Sequence, residues 1–381
     1  MDILFTSSFP ILSQSSRDYN HTTLCPDNQT LNSKSPNVVN PPAFGMSYFT
    51  MTLGTLSNLT ALAILAHSYT RFRRWAKVPF LLLASTLLLS DLAGHLITGA
   101  FALHLHLERV KHHGAAVVVE PPETYCKLFG ACMVFFGLCP LLLGSAMAVE
   151  RCIGITQPLL HSTVVTMTRV RLAVLLIISM ALTMAGLPLL NVGNYKPQFP
   201  GTWCFLPVNG QLSVAEVSLA LAFATMGLVT LTVSLVSNTI SALKLLQARL
   251  KDRTVKPNNS RRHESIMSSS QSSHRLSLDI EMITQLVVIT VVSCVCWSPF
   301  LIYILMSVSR FHDGVWRSPR QCEWLLLLAL RMASWNQILD PWVYILLRRA
   351  VLRRVLQLLP QERAIFTQSS SYKDSHRMNI S

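Results

Sequence analysis

Residues 128–149 read LFGACMVFFGLCPLLLGSAMAV, and Glu150-Arg151-Cys152 follows at once. The stretch holds no charged side chain. As a helix it would be about 33 Å long, enough to cross a hydrocarbon core of roughly 30 Å. Working outward, six comparable stretches lie near Tyr48–Ala66, Pro79–Leu103, Leu172–Val192, Leu212–Leu243, Met282–Val308 and Trp324–Leu347. None alternates apolar and polar residues over ten-residue strands, which excludes a β-barrel. The composition agrees: 51% of the 381 residues are hydrophobic and only 13% charged, with a mean hydropathy of +0.41. A soluble chain averages about 25% charged residues, so a soluble enzyme is disfavoured, and no linker is long enough to bound a separate domain. The expected fold is an all-α membrane protein, a seven-transmembrane helical bundle. The N-terminus lacks a basic segment and Pro10 follows a short apolar run, so the first span is expected to serve as its own insertion signal.

Charge sets the orientation. The chain carries a formal +14. One set of connections, with the tail, holds 21 basic and six acidic residues and nets +15; the other set, with the N-terminus, balances at zero. Basic residues stay on the cytosolic side, so the N-terminus is expected outside and the C-terminus inside. Anionic lipid explains the excess, and nucleic acid is not a partner. Sequons at Asn20 and Asn28 fall on the outer side and are expected glycosylation sites; those at Asn58, Asn258 and Asn379 fall in the membrane or cytosol and are chance matches. Cys25, Cys126, Cys204 and Cys322 face the oxidising side, which allows three pairings. Cys126 with Cys204 is the first choice, and Cys25 with Cys322 is the second bond to weigh against free thiols.

Residues 1–42 should form a disordered extracellular arm and 43–347 the bundle, with a cytosolic third loop at about 250–276. At 348–360, Val351, Leu352, Val355, Leu356 and Leu359 make an apolar stripe among arginines, which predicts a short amphipathic eighth helix on the membrane surface. Residues 361–381 should be a disordered tail. Serine runs at 265–273 and 369–371 are open to phosphorylation.

Ionisable groups inside hydrocarbon are costly and point to function. They are Asp91 and His95 in the second span, Arg331 and Asp340 in the seventh, and Glu150-Arg151 at the inner end of the third. Arg331 lies about five helical turns from the basic boundary, at the depth of a cavity open to the outer half. Asp340, nine residues on, falls on the opposite face roughly 13 Å away, so it is a poor partner. A guanidinium fork matches a carboxylate or phosphate, and Arg331 therefore reads as an anion site. No phosphate-cradling glycine loop, HExxH or Cys-x-x-Cys motif is present. His104, His106, His112 and His113 are too irregularly spaced for a metal site. No cofactor, metal or enzymatic activity is expected.

The order of landmarks resembles the rhodopsin-like (class A) G protein-coupled receptors. It comprises Asn58, Asp91, Glu150-Arg151-Cys152, Cys296-Trp297-Ser298-Pro299 and Asp340-Pro341-Trp342-Val343-Tyr344. Within that group, Gly201-Thr202-Trp203-Cys204, Phe136–Gly144 and Leu330–Trp342 are similar to the prostanoid receptors. Tyr195–Phe205 and Leu92-Ala93-Gly94-His95 look most like the first prostaglandin E receptor subtype, with the prostaglandin F receptor next. The resemblance implies a cell-surface receptor for a prostaglandin, prostaglandin E2 before prostaglandin F2α, acting through a Gq-class G protein and calcium. Arrestin, receptor kinases and membrane lipids are the further partners it implies. A receptor for another acidic lipid is the nearer alternative. An organic-anion transporter is the distant one, and the lack of internal repeats counts against it.

By this resemblance the ligand carboxylate sits on Arg331 with Thr202, beside Trp203. His95, Ser47 and Ser334 lie near ligand hydroxyls, and Met133 and Trp335 form apolar wall. The chain departs from the family pattern at His106, where relatives carry a Tyr against the carboxylate. The fifth span has no Pro, and Pro140 replaces a Ser that helps bind sodium, so no sodium site is assigned. The switch would use Asp91, Asn336, Asp340, Pro341 and Tyr344, a kink at Trp297 and Pro299, and a resting contact of Arg151 with Glu150 and Asp279.

Overall fold

The computed structural model describes residues 44–71, 78–111, 121–210, 212–254, 265–309 and 320–346. The long helices are α1 (Phe44–Arg71), α2 (Val78–Lys111), α3 (Glu123–Thr156), α5 (Met167–Gly186), α6 (Val214–Thr254), α7 (Ser265–Ser309) and α8 (Arg320–Leu346). A short α4 (Pro158–Val164) joins α3 to α5, and a hairpin of β1 (Lys196–Gln198) and β2 (Trp203–Phe205) precedes α6. The arm with Asn20, Asn28 and Cys25, the expected amphipathic helix at 348–360 and the tail lie outside the described residues. So do the side chains of Asp279, Cys322 and Tyr344.

Six of these helices are long and apolar enough to cross a membrane by length and composition: α1, α2, α3, α5, α6 and α7. The seventh expected span forms α8, 27 residues long. It is less apolar because it carries Arg331, Asn336, Gln337 and Asp340. Asn336 and Asp340 are turned inward and buried. α6 and α7 run past their apolar stretches, to Thr254 and from Ser265. The two helices therefore enter both ends of the stretch expected as a loop at about 250–276.

α3 is the central post. It packs against α2, α5, α6 and the hairpin, with Phe129, Val134, Leu138, Leu143 and Met147 almost wholly buried. Leu172, Leu175, Leu176 and Leu182 of α5 face outward, which suits hydrocarbon and would be untenable as so large an apolar patch in water. Asn58 is fully buried, donating to the carbonyls of Gly54 and Gln337. That burial removes it as a glycosylation site, as its position in the first span already suggested.

The hairpin is fixed from three directions. Cys204 bonds Cys126 at the start of α3, with Cα atoms 5.4 Å apart. Lys196 of β1 reaches Glu216 of α6 at 3.6 Å. Glu216 also closes a capping box: its carboxylate accepts from Ser213 N–H at 2.8 Å, and the Ser213 hydroxyl accepts from Glu216 N–H at 3.3 Å. Finally, the buried Tyr195 donates to the Ala185 carbonyl at 2.9 Å, its ring pressed on Gly130 of α3. A Cβ at Gly130 would stand 2.4 Å from that ring, so only glycine permits the approach. At the hairpin tip Gly201 has φ of +82°, a conformation glycine adopts without a steric penalty. The hairpin had no alternating pattern long enough to predict it.

Candidate functional site: a cavity beneath the hairpin

Between the hairpin and the middle of the bundle lies a cavity holding about 1190 Å³ of atom-free space, its mouth included. Trp203, Thr202 and Phe205 cover it, Ser47, His95 and His106 come from α1 and α2, and Met133 comes from α3. Leu327, Leu330, Arg331, Ser334 and Gln337 contribute from α8. Their spacing of three, four and seven residues is one helical face. Of the expected ligand residues, Arg331, Thr202, Trp203, His95, Ser47, Ser334, Met133 and His106 all line it. Trp335 does not. It sits about 100° around α8 from Ser334 and packs on Phe49 of α1, ring centroids 6.4 Å apart.

Arg331 is the charged group of this cavity. Its guanidinium has no hydrogen-bond or salt-bridge partner among the described residues. Asp340 instead accepts from Asn336 Nδ2 at 2.9 Å, as expected from its place on the far face. A half-buried cation that shares a cavity lining with a hydroxyl (Thr202) and an imidazole (His106), with no acid partner among the described residues, suits an anion from outside.

Deeper, the wall is aromatic and apolar. Phe205, Phe223, Phe300 and Trp297 form one cluster of tilted and edge-to-face rings with centroids 5.2 to 6.3 Å apart. Among the described residues, Nε2 of His95 and Nε1 of Trp297 are buried at the cavity without partners. Leaving such atoms unsatisfied costs about 1–3 kcal/mol each, which a ligand hydroxyl or carbonyl would recover. The His95 ring is pressed against α1, where a Cβ on Gly54 would lie 2.4 Å from it.

Sequence reasoning assigned no role to Gln337, although it stands in the quoted α8 motif. Its Nε2 donates to the Phe136 carbonyl of α3 at 2.8 Å, and its carbonyl accepts from Asn58 at 3.1 Å. It therefore ties α1, α3 and α8 together at the cavity floor. Its polarity inside an apolar span was the signal available. Phe223 and Phe300 were also missed, because an aromatic residue in an apolar span is indistinguishable from ordinary packing.

Beneath the cavity, Asp91 is fully buried and both its oxygens lack partners among the described residues. Asn336 Oδ1 and one oxygen of Asp340 are likewise unsatisfied. At the far end of α3, Glu150 pairs with His161 of α4 at 2.9 Å. Arg151 lays its guanidinium over Phe80 of α2, 4.6 Å from the ring centroid. The expected contact with Asp279 lies outside the described side chains. Pro299 and Pro341 lie inside α7 and α8. Among the described residues no group of His, Cys, Asp and Glu could hold a metal ion.

Comparison with known proteins accounts for this arrangement. Residues 57–344 match the seven-transmembrane receptor (rhodopsin family) model. The chain is 46% identical over 359 residues to the human prostaglandin E2 receptor EP1 subtype, covering 85% of this chain and 86% of that protein. It is 43% identical over 343 residues to the mouse EP1 subtype, covering 82% and 81%. The human prostaglandin F2-alpha receptor is 42% identical over 312 residues, covering 82% and 79%. Squid rhodopsin superposes with a TM-score of 0.62 at 13% identity, over 83% of this chain and 80% of that one, a likeness of fold. The chain therefore belongs to the rhodopsin family of seven-transmembrane receptors, and within it to the prostanoid receptors.

Proposed function

We propose that this chain is a plasma-membrane receptor for prostaglandin E2, with its N-terminus outside and C-terminus in the cytosol, signalling through a Gq-class G protein to raise intracellular calcium. The observation that carries the reading is Arg331. It is a cation with no acid partner among the described residues, and it lines the cavity under the hairpin. The fatty-acid carboxylate takes Arg331 with Thr202, and His106 stands in place of a Tyr. The oxygenated ring meets His95 and Trp297, while the alkyl chain lies along Met133, Phe223 and Phe300. Ligand binding then shifts the bundle between two packings, with α7 pivoting near Trp297 and Pro299 and Arg151 engaging the G protein. Identity to the EP1 subtypes favours prostaglandin E2 over prostaglandin F2α. The relative at 42% named for F2-alpha keeps that ligand as the second reading.

A panel of prostanoids applied to transfected cells, read as calcium and as cyclic AMP, tests the proposal. Prostaglandin E2 should be the most potent and calcium the responding signal. A more potent prostaglandin F2α would replace the ligand assignment, a cyclic AMP response without calcium would overturn the coupling, and ligand uptake without either signal would indicate a transporter.

A further inference from the structure

Resting on the reading of the cavity as a prostaglandin site, we propose that Gln337 supplies from α8 the hydrogen-bond donor that Pro140 removes from α3. It is thereby the positioning residue that sets the ligand-lining face of α8 against α3.

In an α-helix each carbonyl accepts from the N–H four residues further on. Pro140 lies inside α3 and is buried there. Four residues before it stands Phe136, whose carbonyl loses that regular donor because proline has no N–H, and the proline ring crowds the same carbonyl. Water is scarce at this depth of a membrane bundle, so a replacement donor must come from within it. Gln337 Nε2 donates to the Phe136 carbonyl at 2.8 Å. A side-chain amide of α8 thus completes the hydrogen bonding of α3.

The same accounting holds one helix further on. Pro341 lies inside α8, four residues after Gln337, so the Gln337 backbone carbonyl is deprived in the same way. Asn58 Nδ2 of α1 donates to it at 3.1 Å. Each of these prolines frees one carbonyl, and a side-chain amide from another helix takes it. The α3 bond is therefore one of a matched pair, in register with the proline that requires it.

Its place gives the bond a consequence for the cavity. α8 packs mainly on α7 and α1, and α3 mainly on α6, α2 and α5; Gln337 reaches across between them. On α8 it stands one turn from Ser334 and about 9 Å along the axis from Arg331, and all three line the cavity. Met133, Phe136 and Gly137 line it from α3. The α3 end of the bond is itself held by α2, where a Cβ on Gly94 would come within 3.2 Å of Phe136 Cβ. The bond thus fixes the depth of the Arg331 cation against the apolar wall of α3. A ligand with an acid at one end and an alkyl chain at the other must meet both at once. Without the bond α8 can slide or turn, the competent packing is less populated, and apparent affinity falls by the same factor.

The test is a double-mutant cycle on the full-length receptor, read by saturation binding of tritiated prostaglandin E2 to membranes and by the melting temperature of purified protein. Gln337→Met keeps the length of the side chain and removes the donor. Pro140→Ala gives α3 an N–H at that position, so the Phe136 carbonyl is served within its own helix. Gln337→Met alone should weaken binding about fivefold or more and lower the melting temperature. In the Pro140→Ala background the same substitution should weaken binding by less than about twofold and leave the melting temperature nearly unchanged. Ordinary packing by Gln337, or its direct contact with the ligand, would give equal losses in both backgrounds, and that result overturns the proposal. Wild-type affinity in Gln337→Met overturns it too. Failure of Gln337→Met to reach the surface counts as a loss: rescue by Pro140→Ala supports the pairing, and no rescue overturns it. If the wild type shows no saturable prostaglandin E2 binding, the ligand reading falls, and the melting temperatures decide the pairing by the same rule.

Discussion

Replacing Arg331 with Gln separates a ligand-binding cation from a structural one. Because its guanidinium has no acid partner among the described residues, the substitution orphans no buried charge. Breaking a buried pair would cost about 3–5 kcal/mol; here stability should hold, with the melting temperature of the purified receptor within about 2 °C of wild type. A hydrogen bond to a charged group contributes about 1.5–3 kcal/mol, and each 1.4 kcal/mol is about tenfold in affinity. Arg331→Gln should therefore weaken binding of prostaglandin E2 by about 10- to 150-fold. The methyl ester has no anionic charge and offers the guanidinium only a carbonyl acceptor, so it should lose several-fold less than the acid. The assay is competition binding of acid and ester on the same membranes. Equal losses for the two ligands, or a receptor that melts many degrees lower, would show that Arg331 serves the fold and would remove the anchor from the proposed function.

Three further substitutions bear on the site and its support. Gly54→Ala would place a methyl 2.4 Å from the His95 ring and swing it out of the cavity. Prostaglandin affinity should fall about tenfold or more, and unchanged binding would mean His95 is not a contact. Gly130→Ala would drive the Tyr195 ring off α3, where the room is also 2.4 Å. Overpacking costs about 1–3 kcal/mol, so a melting temperature equal to wild type would count against this account of the hairpin. Asn238 of α6 donates to Thr290 of α7 at 3.0 Å, a side-chain bond between two spans. Thr290→Val should destabilise the bundle by about 1 kcal/mol. Asn238→Leu combined with it should cost less than the two singles summed; strict additivity would show that the bond contributes nothing.

The seven spans, their order and the cation buried within the last of them at Arg331 were legible in the sequence because the bilayer imposes a length and a polarity on each span separately. An apolar run of about 20 residues needs no partner to be recognised, and a lone arginine in one is costly wherever its neighbours are. Even the opposition of Arg331 and Asp340 followed from the helical period. What the sequence left open depends on which faces meet. Ser334 and Trp335 are adjacent in the chain, yet one lines the cavity and the other packs on Phe49, and only the rotation of α8 against α1 decides that. Gln337 looked like one more polar residue until the Phe136 carbonyl came within 2.8 Å of it. The hairpin had too few residues to show a strand period, and the disulfide, the Lys196–Glu216 contact and Gly130 hold it over the cavity. At the inner end of α3, the short helix opened by Pro158 brings His161 back to Glu150, eleven residues away, a contact that no local pattern encodes.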